Sequence, residues 1–332
     1  MVLKSLSSIY KMIVQSRHMI YSSKIKQSKK LSVPVVVIGN ITVGGTGKTP
    51  FVDFTLGILK SKGINVGVIS RGYGGNYTGV TNVDLNISNA AIAFGDEPTL
   101  LKSKNPETPI YLSANRFKSG RLLLSENKNI QGIVCDDGFQ HFSLERDFNI
   151  VLIDCTEDLN NYKMLPHGRL REPLKGLDRA DFIIFTKSNW VSKTEIKKAK
   201  ELIGNYYPLN EGNHAVAAYN SDFPEVDKNN ILLVSSIARP STFEESVRKS
   251  NLYNIKGHMI FKDHHCYSSK DIRNIIQELN YNKCDLILTT EKDLVKLNQF
   301  DKIKPKLKTV NINVALTSGK ESFERELFKI FN

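Results

Sequence analysis

The sequence predicts an α/β protein in which a mostly parallel sheet is flanked by helices. Short apolar runs typical of buried strands alternate along the 332 residues with segments of helical character. The first run, at 33–38, leads into a glycine-rich loop that ends Gly47-Lys48-Thr49. Because such alternation builds parallel strands joined by helical crossovers, we expect ligands at the carboxyl ends of the strands.

The other elements follow from the same alternation. A helix is predicted at 50–62 and a strand at 65–69, with a break at Gly63 between them. Further strands are predicted at 130–135, 149–153, 182–185, 231–234 and 285–289, with a possible short strand at 214–219, and further helices at 114–126, 191–202, 242–249 and 270–279.

The length favours two lobes, since 332 residues exceed what one compact core usually holds. Pro, Asn, Gly and Asp accumulate at 206–230, which marks a weak boundary. We therefore expect a nucleotide-binding core at 31–210 and a smaller C-terminal α/β lobe at 211–332 that contributes to the active-site cleft. A basic amphipathic helix at 1–30 precedes them.

Residues 1–30 carry an excess of positive charge and no acidic residue. One side of a helix there would be apolar, which predicts binding to an anionic membrane surface. A helix packed on the protein's own core, with a solvated charged face, is the alternative. A nucleic-acid-binding arm lacks support, because no base-stacking module follows. The apolar side comprises Val2, Leu6, Ile9, Ile13 and Ile20, widened by Leu3, Tyr10 and Val14; the basic residues are Lys4, Lys11, Arg17, Lys24, Lys26, Lys29 and Lys30.

The composition excludes several classes of protein. No run approaches the ~18 apolar residues of a membrane-spanning helix, and Lys11 and Arg17 interrupt any signal-peptide core. The net charge is +12, and the excess of positive charge is unevenly placed along the chain. The cysteines have no spacing typical of metal ligands and are expected to be reduced cytosolic thiols. They are Cys135, Cys155, Cys266 and Cys284.

The loop at 42–49 is typical of the phosphate-binding loop of a P-loop NTPase-type fold. Backbone N–H groups at 44–47 can surround phosphate oxygens, and Lys48 can reach the β and γ phosphates. Thr49 offers a hydroxyl to Mg²⁺ at a helix N-terminus. A glycine-rich turn that binds nothing is the alternative. The predicted nucleotide-binding residues are Thr42, Val43, Gly44, Gly45, Thr46, Gly47, Lys48 and Thr49, with Thr42 where the usual pattern has Gly or Ala.

Two adjacent carboxylates, Asp136 and Asp137, follow the predicted strand at 130–135. At this edge of a nucleotide-binding sheet an aspartate holds Mg²⁺, directly or through water. Because side chains alternate along a strand, we expect one to serve the metal and the other the loop or substrate. An Asp before a Gly is also common in turns, so the alternative is that the pair only caps a turn.

Three further polar groups are candidates for chemistry. Arg71 lies in the glycine-rich segment 70–75 and could pair with a phosphate. Asp96 begins a predicted helix, where it could be a cap, a metal ligand or a general base. His264 follows Asp263, and a His with an Asp within reach is suited to take a proton from a hydroxyl. Arginines that could hold an anionic substrate, or could instead belong to the solvated surface, are Arg116, Arg169 and Arg171.

The segment after the predicted strand at 182–185 bears on the choice of base. GTP-binding proteins of this architecture present Asn or Thr, Lys, any residue and Asp there, and this chain has Thr186-Lys187-Ser188-Asn189. Asn189 presents an amide donor where guanine also donates. The sequence therefore favours ATP.

Several motifs together make the chain resemble the tetraacyldisaccharide 4'-kinases, the lipid A 4'-kinases of Gram-negative bacteria. The resemblance covers nearly the whole length, and the family has Thr or a similar small residue at the place of Thr42. The motifs are V-I-G-N-I-T-V-G-G-T-G-K-T-P at 37–50, S-R-G-Y-G-G at 70–75, G-D-E-P at 95–98, D-D-G-F-Q-H at 136–141, L-R-E-P at 170–173, F-K-D-H-H at 261–265 and T-E-K-D at 290–293.

The resemblance implies transfer of the γ-phosphate of ATP to the 4'-hydroxyl of an acylated glucosamine disaccharide 1-phosphate, which gives lipid IVA. It places the enzyme, peripheral or monotopic, on the cytoplasmic face of the bacterial inner membrane. It implies that Asp96 takes the hydroxyl proton, that His264 orients Asp96, and that Lys48 and Asp137 are also catalytic. Expected Mg²⁺ ligands are Thr49, Glu97, Asp136 and Asp137; expected substrate contacts are Arg71, Asn115, Arg116, Gln140, His141 and Arg171.

A P-loop GTPase or metal-delivery NTPase without a lipid substrate is the alternative function. Such a protein would hydrolyse GTP slowly and need a protein partner. The lack of a close Cys/His cluster counts against metal delivery. We expect no nucleic-acid partner and no obligatory protein partner.

Overall fold

The computed structural model describes residues 2–23, 25–226 and 230–332, and its described strands form one twelve-stranded sheet. The strands are β1 Val35–Asn40, β2 Val66–Ser70, β3 Thr81–Asn82, β4 Ile110–Leu112, β5 Gly132–Asp136, β6 Phe148–Asp154, β7 Phe182–Thr186, β8 His214–Asp222, β9 Asn230–Ser235, β10 Asn254–Ile260, β11 Leu286–Thr290 and β12 Leu307–Ser318. The helices are α1 Val2–Ser22, α2 Lys48–Ser61, α3 Ala90–Phe94, α4 Asp96–Lys104, α5 Arg116–Glu126, α6 Lys193–Gly204, α7 Pro240–Ser250, α8 Ser269–Tyr281, α9 Glu291–Leu297 and α10 Lys320–Lys329.

The sheet is mostly parallel, as predicted. Its strand order is β10-β9-β11-β12-β8-β7-β6-β1-β5-β2-β4-β3. Within the described residues, antiparallel pairing occurs between β8 and β12 and between β3 and β4, and the other neighbours are parallel. Parallel strands place their carboxyl ends at one edge, so the segments that follow β1, β2 and β5 meet there.

Hydrophobic layers cover both faces of the sheet. All six residues of β1 are buried. Val35 and Val37 belong to one core cluster, whereas Val36 and Ile38 belong to another. Alternate side chains of a strand point to opposite faces, so helices must cover both sides of the sheet.

The sheet is continuous across the predicted boundary between 31–210 and 211–332. β8 pairs with β7 on one side and with β12 on the other. Phe323 of α10 packs 5.7 Å from the ring of Phe51 and 5.4 Å from that of Phe182, so the C-terminal helix joins the core of the first half. Separate clusters around Ile275 and Val247 cover β9 and β11. The division into two lobes stays a prediction.

Helix α1 packs on the protein along one face. Ser7 donates to the carbonyl of Met164 at 2.8 Å, and Tyr10 donates to that of Arg171 at 3.1 Å. Val14 contacts the main core, and Tyr21 stacks on Phe142. Among the predicted apolar residues, Tyr10 and Val14 therefore face the protein.

The rest of the predicted apolar side of α1 is open to solvent. Its side chains are between 41% and 62% exposed. Lys24 lies outside the described residues, as does the side chain of Val2. No described helix has the length and apolar character needed to cross a membrane. The exposed residues are Leu3, Leu6, Ile9, Ile13 and Ile20.

Candidate active site

The phosphate-binding loop connects β1 to α2. Gly47, at φ 88°, stands immediately before the first turn of α2. The ring of Tyr219 lies where a side chain at Gly47 would project, so both the left-handed backbone and the close packing require glycine. This turn brings the N-terminus of α2, with Lys48 and Thr49, to the edge where the strands end.

Three buried side chains, one from β7, one from the residue that follows β7 and one from β8, donate hydrogen bonds to three successive carbonyl groups of the loop. A peptide C=O and its neighbouring N–H groups point in different directions, so fixing the carbonyls keeps N–H groups on the opposite side for an anion. The Thr46 N–H donates to Gly44 O at 3.0 Å. The donors are Lys187 to Gly45 O at 2.6 Å, Thr186 to Thr46 O at 3.0 Å and Tyr219 to Gly47 O at 2.8 Å.

Lys48 lies beside Asp137, and the sequence analysis places both residues in the same site. Its Nζ is 3.5 Å from Asp137 Oδ1 and 3.4 Å from Asn40 Oδ1. Arg171 Nη1 donates to both oxygens of Asp137, at 2.9 and 3.0 Å. Burial by itself raises the pKa of Asp137, but Lys48 and Arg171 outweigh it and the pKa is lowered. Asp137 is therefore ionised and held by two cations.

Asp136 ends β5 and faces a different set of groups. Its Oδ2 accepts a hydrogen bond from Ser70 Oγ at 3.1 Å. Its Oδ1 is buried and has no hydrogen-bond partner among the described residues. Burial, followed by the charges of Glu97 and Asp137, raises the pKa of Asp136 to about 6. A buried carboxylate oxygen without a partner fits a cation.

The N-terminus of α4 carries Asp96 and Glu97. Gly95 precedes it at φ 91°, and a side chain there would approach the Tyr73 carbonyl to 2.6 Å. Because Gly95 has no side chain, the glycine-rich segment 70–75 can lie directly against the G-D-E-P motif. Glu97 forms an ion pair with Lys292, which lowers the pKa of Glu97.

Asp96 and His264 meet although 168 positions separate them in the sequence. His264 Nδ1 lies 3.0 Å from Asp96 Oδ2. Burial raises the pKa of Asp96, yet the hydrogen bond from His264 and the charge of Lys296 leave it lowered. The hydrogen bond to Asp96 raises the pKa of His264. The pair thus consists of an ionised carboxylate and an imidazole that donates to it.

Several residues at this site were not among the sequence predictions. Lys292 pairs with Glu97, and Lys296 lies 3.2 Å from Asp96 Oδ2. Both belong to α9, which follows β11 and begins in the T-E-K-D motif. Asn40 donates to the Thr46 hydroxyl at 3.0 Å. Asn40 and Lys292 lie within motifs seen in the sequence, whereas Lys296 lies beyond the T-E-K-D motif, and the partners of the two lysines on α4 are distant in sequence.

The predicted substrate contacts Arg71, Arg116 and His141 share a positive environment. Burial, and then the charges of Arg116, Arg17, Arg146 and Arg71, lower the pKa of His141 to about 4. Arg116 is buried, donates to Ser113 O at 2.8 Å and has no partner for Nε among the described residues. Such a region attracts an anion.

The predicted substrate contacts Gln140 and Asn115 are engaged within the protein, as are the candidate Arg169 and His265, the second histidine of the F-K-D-H-H motif. Gln140 donates to Asn40 O at 2.7 Å and to Glu172 Oε1 at 2.6 Å. The exposed Asn115 caps α5 by accepting from the Lys118 N–H. His265 bonds Asp271 at 3.1 Å and stacks on Phe261, away from Asp96. Arg169 donates to Val43 O at 2.9 Å and so supports the loop.

The predicted metal ligands do not form a closed protein cage. In residues 2–23, 25–226 and 230–332 no three His, Cys, Asp or Glu side chains are gathered to hold a metal ion by themselves. Mg²⁺ is usually bound through one or two carboxylates together with substrate phosphates, so the donors present suit that ion.

Comparison with known proteins decides the family. A family model described as tetraacyldisaccharide-1-P 4'-kinase matches residues 1–332. The chain belongs to this family. Its activity is that of a tetraacyldisaccharide 4'-kinase, which decides against the GTPase and metal-delivery alternatives.

Individual tetraacyldisaccharide 4'-kinases are similar over most of the chain. The chain is 38% identical to the Bdellovibrio bacteriovorus kinase over 305 residues, covering 90% of this chain and 89% of that protein. It is 33% identical to the Geobacter metallireducens kinase over 306 residues, covering 89% and 88%. A crystal structure of LpxK from Aquifex aeolicus in complex with ATP matches all of both chains with a TM-score of 0.76 and 28% identity.

Proposed function

We propose that the chain transfers the γ-phosphate of ATP to the 4'-hydroxyl of tetraacyldisaccharide 1-phosphate, giving lipid IVA, with Asp96 as the base. Family membership supports the reaction, and the ATP complex of the Aquifex aeolicus protein supports the donor. The contact of 3.0 Å between Asp96 and His264 carries the catalytic assignment. An ionised carboxylate fixed by a second group is suited to accept a hydroxyl proton.

The loop and Lys48 bind the phosphates in this proposal. Neutralisation of charge and in-line positioning account for most of the catalysis of phosphoryl transfer. Lys48, released from Asp137 by the nucleotide, contacts the β and γ phosphates. Arg171 keeps both hydrogen bonds from its Nη1 to the Asp137 carboxylate, at 2.9 and 3.0 Å, and holds that carboxylate in place.

Thr49, Asp136, Asp137 and Glu97 are the proposed protein ligands of Mg²⁺. The unpartnered Oδ1 of Asp136 supports this set. At this place Mg²⁺ would supply positive charge to neutralise the phosphates. Burial with Glu97 and Asp137 raises the pKa of Asp136 to about 6, and a cation would lower that pKa again by favouring the carboxylate.

The oxygen of the 4'-hydroxyl attacks the γ-phosphorus and ADP leaves, while the proton of that hydroxyl passes to Asp96. His264 donates from Nδ1 to Asp96 Oδ2, which orients the carboxylate and supports its ionised form. Tyr73, whose ring lies 6.4 Å from that of His264, belongs to the glycine-rich segment 70–75, which therefore lies beside the pair. Closure of that segment would exclude water and limit futile hydrolysis of ATP.

The acceptor remains in a bilayer, so the enzyme must work at its surface. We propose that α1 lies in the headgroup region of the cytoplasmic face of the inner membrane. The apolar residues that α1 exposes, and the basic residues among 1–30, support this placement. The positive region around His141, to which Arg71 and Arg116 contribute, would receive an anionic group of the lipid, and Asn115 precedes Arg116 in the chain.

Transfer of labelled γ-phosphate to tetraacyldisaccharide 1-phosphate in detergent micelles tests the proposal. Wild type is compared with Asp96→Ala, and ATP with GTP. We expect labelled lipid from ATP, a much smaller yield from GTP, and loss of transfer in Asp96→Ala. Lipid labelling that survives Asp96→Ala at the wild-type rate would contradict the base assignment.

A further inference from the structure

Lys296 lies in a buried network behind Asp96. Its side chain is 3% exposed, and its Nζ lies 3.2 Å from Asp96 Oδ2. The same ammonium group is 2.7 Å from Ser236 Oγ and 3.2 Å from Asp293 Oδ1. Three oxygen atoms therefore surround the three donors of one lysine, which fixes the position of its charge. A buried lysine needs such partners, and two of them are carboxylates.

The same network holds the backbone of His264. The carbonyl of Ser236 accepts from the His264 N–H at 3.2 Å. Asp293 is fully buried and accepts from the Ser236 N–H at 3.0 Å, from the Ser236 hydroxyl, and from Tyr267 at 3.1 Å. Ser236 thus connects Lys296 to the residue that pairs with Asp96.

Both donors to the Asp96 carboxylate end on the same oxygen. His264 Nδ1 and Lys296 Nζ contact Oδ2 at 3.0 and 3.2 Å, and no described side chain donates to Oδ1. Two donors on one oxygen oppose rotation of the carboxylate and leave the other oxygen for a hydroxyl. We propose that Lys296 is a positioning residue that fixes the Asp96 carboxylate so that Oδ1 faces the acceptor hydroxyl.

This inference rests on the proposed base role of Asp96. A purely structural role, in which Lys296 only ties α4 to α9, is the alternative. Lys104 provides a matched control, because it lies on α4 and its Nζ is 2.8 Å from Glu291 Oε1 on α9. Lys104→Met removes this ion pair between the same two helices, together with the 3.1 Å ion pair of Lys104 with Asp53 on α2, without touching Asp96.

The test measures kcat and both KM values for wild type, Lys296→Met, Lys296→Arg, Lys104→Met and Asp96→Ala. We expect Lys296→Met to lower kcat about 100-fold, the scale seen when a catalytic group is misplaced by about 1 Å, with KM for ATP within about 2-fold. Lys104→Met should keep its kcat within about 3-fold. Lys296→Arg keeps a cation there but has a larger, planar head group, so its kcat should lie between those of wild type and Lys296→Met.

A double variant separates positioning from packing. In the Asp96→Ala background, Lys296→Met should cause no further loss of kcat, since the group that it positions is gone. If Lys296→Met does not fold by circular dichroism, Ser236→Ala takes its place, because it removes one acceptor of Lys296 and should lower kcat about 10-fold.

Three results would overturn the inference: wild-type kcat in folded Lys296→Met, an equal loss in Lys104→Met, or a further loss in the Asp96→Ala background. If Asp96→Ala itself keeps wild-type activity, the base role fails and the inference fails with it. An inactive Asp96→Ala with a fully active Lys296→Met contradicts only the role of Lys296.

Discussion

The ammonium group of Lys187 donates a hydrogen bond of 2.6 Å to the carbonyl oxygen of Gly45 in the phosphate-binding loop. It also forms an ion pair of 2.6 Å with Asp154, at the end of β6. Lys187 and Thr186 belong to the segment that departs from the guanine-recognition motif at Asn189. In this fold both residues fix the backbone that is to surround the phosphates, whatever the base.

Thr186→Val should weaken nucleotide binding. The hydroxyl holds Thr46 O at 3.0 Å, so its loss frees one loop carbonyl at nearly constant side-chain volume. We expect KM for ATP to rise about 5-fold, on the order of one hydrogen bond, with kcat nearly unchanged. Thr55→Val is the control, because Thr55 is also buried and bonds Phe51 O at 2.8 Å within α2. Equal rises in both variants would refute a specific effect on the loop.

The double change Ile9→Ser with Ile13→Ser should reduce membrane binding. Both side chains are exposed on α1, and each would lose apolar area buried in the headgroup region. We expect at least about a 10-fold weaker partition into vesicles of anionic phospholipid, measured by co-sedimentation. Ile260→Ser, at an exposed residue of β10, should leave binding unchanged. Unchanged sedimentation of the double variant would exclude α1 as the membrane contact.

Asp96→Asn should lower the pKa of His264, because the amide no longer stabilises the imidazolium. The NMR chemical shifts of the His264 ring, recorded as a function of pH, measure this pKa directly. A raised folded-state pKa stabilises the protein below the unfolded pKa of His, and this contribution is lost as pH rises through the folded value. The stability advantage of wild type over His264→Gln should therefore shrink with increasing pH. An unchanged His264 pKa in Asp96→Asn would mean that the pair does not form in solution.

Asp136→Asn should weaken Mg²⁺ binding more than it weakens lipid binding. The amide has no charge, and Oδ1 of Asp136 is the unpartnered buried oxygen proposed to meet the ion. We expect the Mg²⁺ concentration for half-maximal transfer to rise at least about 10-fold, with KM for the acceptor little changed; the factor corresponds to about 1.4 kcal/mol. Ser70→Ala, which removes only the 3.1 Å hydrogen bond to Oδ2, should have a smaller effect. Equal Mg²⁺ requirements in wild type and Asp136→Asn would remove Asp136 from the ligand set.

Local sequence predicted the parts of the fold whose signals are local. The loop at 42–49 and the strands at 65–69 and 182–185 appear within one or two residues of their predicted positions, because buried strands have continuous apolar runs. β12 was not predicted: residues 310–314 alternate apolar and polar side chains, the pattern of a half-buried strand, but the residues on either side do not continue the alternation. Its place between β8 and β11 depends on long-range pairing.

The candidate site shows the same limit. Asp137 and Lys48 could be placed together from the strand–loop pattern alone. The pairing of Asp96 with His264 came from the family resemblance, because no local signal joins residues 168 positions apart. Lys296 carried no signal of its own, and only packing of α9 against α4 brings it to Asp96.

The most direct test of the central claim is a double-mutant cycle on Asp96 and His264, with kcat for phosphate transfer to tetraacyldisaccharide 1-phosphate measured in wild type, Asp96→Ala, His264→Ala and the double variant. Residues that act as one unit give losses that do not multiply. The account predicts that the double variant is no slower than Asp96→Ala. A double variant slowed by the product of the two single effects would contradict it.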